Sequence, residues 1–292
     1  MIFANILIDD RERICLIKRE SNSFICFEDP SMTMLDLIEN FETYQEEIQE
    51  KYTGVFPDSL DFAKILTPIP YPKRNVVCLG KNYLDHIKEI HGITGGPTDT
   101  APAYPIYFTK AAFPCIGPGE IILRHPHVTS QIDYEAELCV VIGKAGMNIS
   151  REKAEDHIFG YTIGNDISAR DVQNRHVNWF KGKSLHTHCA IGPFIIHKSL
   201  LPLPLSLNVQ SYVNGEQRQN GNTADLIWDI PSIISDLSQG YTLQPGDFIM
   251  TGTPKGVGMG FDPPKYLNPG DQITCKIEGI GELTNYVESL ST

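Results

Sequence analysis

Asp133-Tyr134-Glu135-Ala136-Glu137-Leu138-Cys139-Val140-Val141-Ile142-Gly143 is an apolar strand entered through two carboxylates. Successive strand side chains alternate faces, so Glu135 and Glu137 point the same way, side by side. Two adjacent carboxylates repel and raise each other's pKa unless a cation lies between them. A second apolar run, residues 159–164, ends in Asn165-Asp166 and brings a third carboxylate to a strand terminus. Three hard oxygen ligands, with no Cys and no obligatory His, suit Mg²⁺ or Mn²⁺ better than Zn²⁺. The alternative is that Glu135 and Glu137 line a solvated strand face, with which a bare E-x-E is equally compatible.

Working outward, residues 70–292 read as mostly β with a few helices. Leu205-Ser206-Leu207-Asn208-Val209 alternates with period two, Asn214-Gly215 signals a hairpin, and Ile273, Cys275 and Ile277 alternate again. One helix is expected from Ser150 toward Ile158, and another with Pro231 in its first turn and Gly240 past its end. Residues 1–68 read as a small α+β unit, with strands at 2–8 and 14–17 and a helix over 31–51. The Pro-rich joint Thr67-Pro68-Ile69-Pro70-Tyr71-Pro72 sets the expected boundary between domains 1–68 and 69–292. A helix at 83–90 running into the Gly/Pro-rich stretch 92–102 has the form of a lid, or of a surface loop.

The 292 residues carry 24 Lys+Arg against 36 Asp+Glu, a net charge of −12. That balance argues against a general nucleic-acid binder or a polybasic membrane binder, both of which need surplus cations. No run approaches the ~18 uninterrupted apolar residues of a membrane span, and Met1–Asp10 lacks the basic start of a signal peptide. Seven cysteines, an odd number with no C-x-x-C, suggest neither a disulfide framework nor a thiolate zinc site; a reducing cytosol is the expected compartment.

His86 and Glu89 lie three residues apart on the expected lid helix, so Glu89 can orient the imidazole as a general base, or the two can form a surface ion pair. The pairs His125/His127 and His186/His188 have no third ligand at a recognisable spacing and read as structural or surface residues. Gly182-Lys183-Ser184 lacks the earlier glycine of a phosphate loop, and Gly256-Val257-Gly258-Met259-Gly260 leads into Asp262-Pro263-Pro264, not the helix of a dinucleotide fingerprint.

Taken together, these segments resemble the fumarylacetoacetate hydrolase family. The likeness is carried by Gly80-Lys81-Asn82-Tyr83 with His86 and Glu89, by Asp133–Glu137, and by Asn165-Asp166-Ile167-Ser168-Ala169-Arg170-Asp171-Val172-Gln173. It continues through Gly182-Lys183-Ser184, Val213-Asn214-Gly215-Glu216 and Thr251-Gly252-Thr253-Pro254-Lys255-Gly256-Val257-Gly258. The resemblance implies an α+β, mostly β fold: a mixed β-sandwich roll that forms a homodimer, behind a small N-terminal domain. It implies one Mg²⁺ or Mn²⁺ on Glu135, Glu137 and Asp166, with Lys183 as the active-site lysine. Lys81, Tyr83, Arg170, Gln173, Thr251 and Thr253 match positions around the bound ligand. His86 and Glu89 match the water-activating pair of the bacterial acylpyruvase and oxaloacetate decarboxylase branch.

The function so implied is metal-dependent C–C cleavage of a small 2-oxo acid through a metal-held enolate, by oxaloacetate decarboxylation or acylpyruvate hydrolysis. Two alternatives stand beside it: an isomerase or hydratase of 2-hydroxy-dienoate acids, and a dimeric scaffold with a secondary binding role.

Overall fold

The computed structural model describes residues 1–94 and 100–289; residues 95–99, on which part of the lid expectation falls, lie outside the described residues. The N-terminal segment supplies β1 (Ile2–Ile8), β2 (Arg11–Lys18), β3 (Ser23–Cys26), α1 (Met34–Glu39), α2 (Gln45–Thr53), β4 (Asp58–Ser59) and β5 (Lys64–Leu66). Next come β6 (Val76–Gly80), α3 (Leu84–Thr94), β7 (Ile106–Lys110), β8 (Ile121–Ile122), β9 (Ile132–Asp133), β10 (Ala136–Ile142), β11 (Ile158–Asp166) and β12 (Ser168–Ala169). The remainder holds α4 (Arg170–Arg175), α5 (Phe180–Lys183), β13 (Cys189–His197), β14 (Asn208–Val213), β15 (Glu216–Asn222), α6 (Ile230–Leu237), β16 (Phe248–Met250), β17 (Gln272–Ile277) and β18 (Gly281–Val287).

The fold is mostly β, as expected, and built from two mixed sheets, with β9 and β12 forming a separate two-stranded pair. The larger runs β4-β3-β2-β1-β13-β11-β10-β16-β6-β7, with β5 also on β1, and its one parallel pairing is β16 with β6. The smaller runs β15-β14-β17-β18-β8. Strand β10 shows why the sheets stack. Its residues Ala136, Leu138, Val140 and Ile142 enter the core shared with Val209, Ile273, Cys275 and Ile277 of the small sheet. Cys139 and Val141, on the other face, join a second core with Phe3, Leu16 and the α1 residues Leu37 and Ile38. Every residue of β10 is buried, so its run of apolar residues is that of a strand covered on both sides.

The hairpin at Asn214-Gly215 forms between β14 and β15, with φ of 51° and 82° at the two turn residues. Asp229 caps α6, accepting from the Ser232 amide, with Pro231 in the first turn.

Three expectations are corrected. The single helix over 31–51 is two helices. Thr33 caps α1 in a reciprocal box with Asp36, and α1 ends at Asn40, whose side chain donates to the Asp36 carbonyl. The apolar spacing stops at Phe41, and α2 buries only Ile48. The helix after Ser150 is a 3-10 helix, Arg151–His157, with no side-chain cap. Finally, Cys15 and Cys26 stand directly opposite each other across β2 and β3 and form a disulfide. That pairing removes the cysteine argument for a reducing compartment. The other five cysteines are free and buried, as small core residues.

Candidate active site

The site forms where β10 and β11 end beside the β6–α3 turn. Ala136 pairs with Asn165, and the Asp166 amide donates to the Glu135 carbonyl at 2.9 Å, which brings the two carboxylate-bearing ends together. One ligand oxygen from each of Glu135, Glu137 and Asp166 falls within 4.8 Å of the others, and all three residues are buried. Burial excludes the solvated-face alternative.

Cations surround this triad unevenly. Lys183, the last residue of α5, donates from Nζ to Glu135 Oε2 at 2.6 Å and Asp166 Oδ2 at 2.8 Å. Arg170, at the start of α4, pairs through Nη2 with Glu135 Oε1 at 2.7 Å. Its Nε donates to Asp133 Oδ2 at 2.8 Å and its Nη1 to Gln173 Oε1 at 3.0 Å. Glu137 touches no cation; its Oε2 accepts the Gly252 amide at 2.7 Å. Gly252 sits at φ 99° in the turn that aims this N–H, a conformation glycine adopts freely.

The consequences diverge. Burial works to raise the Glu135 pKa, but Lys183 and Arg170 outweigh it and hold the carboxyl at about 2. Burial, together with Asp166 and Glu135, pushes the Glu137 carboxyl well above its ordinary value. An ion close to Glu137 reverses that. Three converging hard oxygens, one of them without a cation, fit a hard dication such as Mg²⁺ or Mn²⁺. Asp133, Glu135, Glu137 and Asp166 outnumber buried Lys110, Arg170 and Lys183 by one negative charge. A bound dication turns that excess into one positive charge, which gives a strongly acidic protein a local site for an anion.

A cavity of about 260 Å³ opens onto Glu135 and Glu137 of the triad, lined also by Arg170, Lys183, Lys81, His86, Gln173 and Thr253, with Ile90, Phe108, Trp179 and Met259 as apolar walls. Lys81 occupies the β6–α3 turn at φ 57°, rare for a lysine. His86 is 6% exposed, and its Nδ1 lies 3.2 Å from Glu89 Oε2. The Glu89 Oε1 accepts the Gly256 amide at 2.8 Å, so the glycine loop steadies the pair. The structure therefore places His86 and Glu89 at the site and not on the surface.

Four sequence candidates fall outside the cavity wall: Asp166 and Glu89, which act through Lys183 and His86 beside it, and Tyr83 and Thr251. Tyr83 is buried, and its hydroxyl has no hydrogen-bond partner. Thr251 donates to the Leu138 carbonyl at 3.0 Å and serves the β10 end. Thr253 reaches the cavity while its hydroxyl donates to the Ala136 carbonyl. The four histidines at 125, 127, 186 and 188 gather no metal-binding set among the described residues; His188 is buried, and its Nε2 donates to the Leu123 carbonyl.

Sequence did not single out Asn174, His176 and Trp179 of the cavity wall, nor two buried charged residues beside the triad. Lys110 is fully buried and meets Asp166 Oδ1 at 2.8 Å. The signal was alternation: Phe108 and Lys110 share the buried face of β7, flanking exposed Thr109. Asp133 accepts from Arg170 Nε and from the amides of Gly258 and Met259, tying the glycine loop to the arginine.

A buried carboxylate triad with an adjoining lysine, on stacked mixed sheets, defines a class, and the comparisons agree. Residues 75–288 match the model of the fumarylacetoacetate (FAA) hydrolase C-terminal domain, and the chain belongs to the fumarylacetoacetate hydrolase family. Among relatives it is 45% identical to the oxaloacetate tautomerase YisK of Bacillus subtilis, covering 98% of this chain and 96% of that protein. Among solved structures it is similar to a fumarylacetoacetate hydrolase of Exiguobacterium antarcticum, with 37% identity, a TM-score of 0.80 and 99% of each chain covered. It is also similar to the maleylpyruvate hydrolase of Sphingobium sp. SYK-6, solved with manganese(II) and pyruvate, with 28% identity, a TM-score of 0.79 and 99% of each chain covered. The chain is thus an enzyme-family member with a divalent-metal type of site. No helix among the described residues is long and apolar enough to cross a membrane.

Proposed function

We propose that this protein is a Mg²⁺- or Mn²⁺-dependent enzyme of small 2-oxo acids. It interconverts the keto and enol forms of an oxaloacetate-type substrate, and from the same site cleaves the bond beyond C3. The observation that carries this is one cavity faced by Glu135 and Glu137 of the carboxylate triad, by Lys183 and by His86, which Glu89 holds from behind. Its volume, about 260 Å³, suits a four- or five-carbon acid. The tautomerase activity in the name of the Bacillus relative, and the manganese and pyruvate of the Sphingobium structure, support the same chemistry.

A dication held by Glu135, Glu137 and Asp166 supplies Lewis-acid polarisation of the 2-oxo group. Lys81, Arg170 and Gln173 present cationic and amide groups to the carboxylates of the substrate. Glu89 holds His86 through Nδ1, which leaves Nε2 for a proton. In tautomerisation that proton comes from C3, and the oxygen at C2 is protonated in turn. In acylpyruvate hydrolysis it comes from a water attacking the distal carbonyl. Decarboxylation needs no water: CO₂ departs, the electron pair passes into the 2-oxo system, and Lys183 donates to the oxygen that gains charge. We place the enzyme as a homodimer, which sedimentation would check.

The test follows oxaloacetate enol–keto interconversion by ultraviolet absorbance and pyruvate release in parallel. Both activities should vanish on metal stripping, return with Mg²⁺ or Mn²⁺, and be absent in Glu135→Ala. Full turnover by stripped protein would sink the scheme. His86→Ala should cost hydrolysis more than decarboxylation, and equal losses would count against the water-activating role.

A further inference from the structure

Among the residues that line the active-site cavity, only Asn174 and His176 are exposed, so its mouth lies where α4 ends. The other walls are held. Ile90 and Met259 are buried and packed with Val257. Phe108 and Trp179 meet edge to face with ring centroids 5.3 Å apart, and the Lys183 ammonium stands 5.3 Å from the Phe108 centroid. Gly80 makes room for the indole, since a Cβ there would lie 2.2 Å from Trp179 Cζ3. His176, by contrast, makes no hydrogen bond or ion pair among the described residues.

A second hollow of about 580 Å³, open to solvent, adjoins this mouth, and Phe108 and His176 line both. Beyond them its surface is carried by Val177, which is fully exposed, and by Phe180, which is 40% exposed. Covering these side chains releases the water that hydrates them, a gain that an apolar group collects and a charged one does not. The inner cavity suits a four- or five-carbon acid, so a longer chain anchored at the carboxylates has to leave by the mouth.

We propose that this hollow is an outer subsite for a straight apolar chain, and that the substrates include acylpyruvates whose acyl group runs past His176 onto Phe108, Val177 and Phe180. This inference rests on the proposed function and names a substrate class for the same site. Hydrolysis of such a compound breaks C3–C4. The hydroxyl of the attacking water goes to C4 and its proton to C3, and the products are pyruvate and a straight-chain carboxylic acid.

Calorimetric titration of the full chain in excess Mg²⁺ with 2-oxopentanoate, 2-oxohexanoate and 2-oxooctanoate tests the subsite without turnover, because these acids lack the C4 carbonyl. The dissociation constant should fall about two- to fourfold per added methylene, the upper figure being that of full burial. No gain beyond five carbons overturns the subsite. Tighter binding of 2-oxooctanedioate than of 2-oxooctanoate would place a carboxylate beside Lys181, which also lines the hollow, and would overturn its apolar assignment. Val177→Ser and Phe180→Ser should each flatten the series, and an undiminished slope in both overturns the placement. Hexanoylpyruvate should be hydrolysed with a higher kcat/KM than acetylpyruvate; a lower value overturns the substrate class. Oxaloacetate turnover, measured alongside, separates the two readings. Intact turnover without a chain-length gain overturns the subsite alone. A chain-length gain in a protein inactive on oxaloacetate and on acetylpyruvate overturns the proposed function and leaves the subsite standing.

Discussion

Gly260→Ala reaches the His86–Glu89 pair without altering either member. A Cβ built at Gly260 lies 2.3 Å from Glu89 Cδ and 2.4 Å from its Oε1, too close to coexist with the present rotamer. The atoms in the way are the end of a flexible side chain, so the carboxylate moves and the backbone stays. Glu89 then gives up both His86 Nδ1, at 3.2 Å, and the Gly256 amide, at 2.8 Å. A hydrogen bond to a charged group contributes about 1.5–3 kcal/mol. If orienting His86 is what Glu89 does, that energy is lost from the transition state, and kcat falls roughly 10- to 150-fold. Metal affinity and KM should stay within about twofold, since the triad and the Arg170–Asp133 contact are untouched. The assay is enol–keto interconversion of oxaloacetate at saturating Mg²⁺, with Glu89→Gln alongside and metal affinity read by calorimetry. A folded Gly260→Ala protein with wild-type kcat would refute the reasoning. So would a loss of metal affinity as large as the loss of kcat, because the loop would then act through the triad.

Three further outcomes are expected. Tyr83→Phe removes a buried hydroxyl that has no partner and does not line the cavity, so kcat/KM should change by no more than about threefold and stability should hold or rise slightly. His188 is held neutral by burial and by nearby Lys110, its pKa pushed down to about 3. Its contribution is fully present above pH 6.5 and is lost as pH falls toward 3; by linkage, acidification from pH 6.5 to 5 should cost about 2 kcal/mol. His188→Gln, read by urea denaturation, should flatten that slope. The raised Glu137 carboxyl acts in the opposite direction: in the metal-stripped protein stability is present below its ordinary pKa and declines as pH rises toward neutrality. Glu137→Gln should remove the decline, and added Mg²⁺ should restore the wild type at pH 8 but not the variant.

The centre of the site was legible because local rules position it. Period-two alternation is enough to put Glu135 beside Glu137, and helical spacing is enough to put Glu89 beside His86. The carboxylate pair and the contact of His86 with Glu89 follow from those rules, as does the mostly β character, while Lys183 beside the carboxylates was reached only through the family resemblance. What the sequence did not disclose were the partners brought in by long-range pairing. Lys110 closes a short strand, where a lysine ordinarily meets solvent, and its burial comes with contacts to Asp166, Ile167 and His188, more than fifty residues away. Asp133 was quoted with its neighbours, yet its tie to Gly258 and Met259 spans more than a hundred residues. Cys15 and Cys26 became partners only through the register of β2 on β3. Tyr83 and Thr251 show the reverse: motif positions close to a site can serve the backbone around it.

Strand β1 lies inside the large sheet, between β2 and β13, with Phe3 opposite Ile195 and Ile2 opposite Ile196. The matched family segment starts only at residue 75, yet its strand β13 relies on β1 to occupy its outer side. Cut away at the proline-rich joint, the remaining sheet would show a row of unanswered N–H and C=O groups beside the bared apolar surface of Phe159, Ile191 and Ile195. Such a margin is a template for the next molecule. With the N-terminal hairpin in place, β13 has a strand on both sides and offers no free edge to another chain.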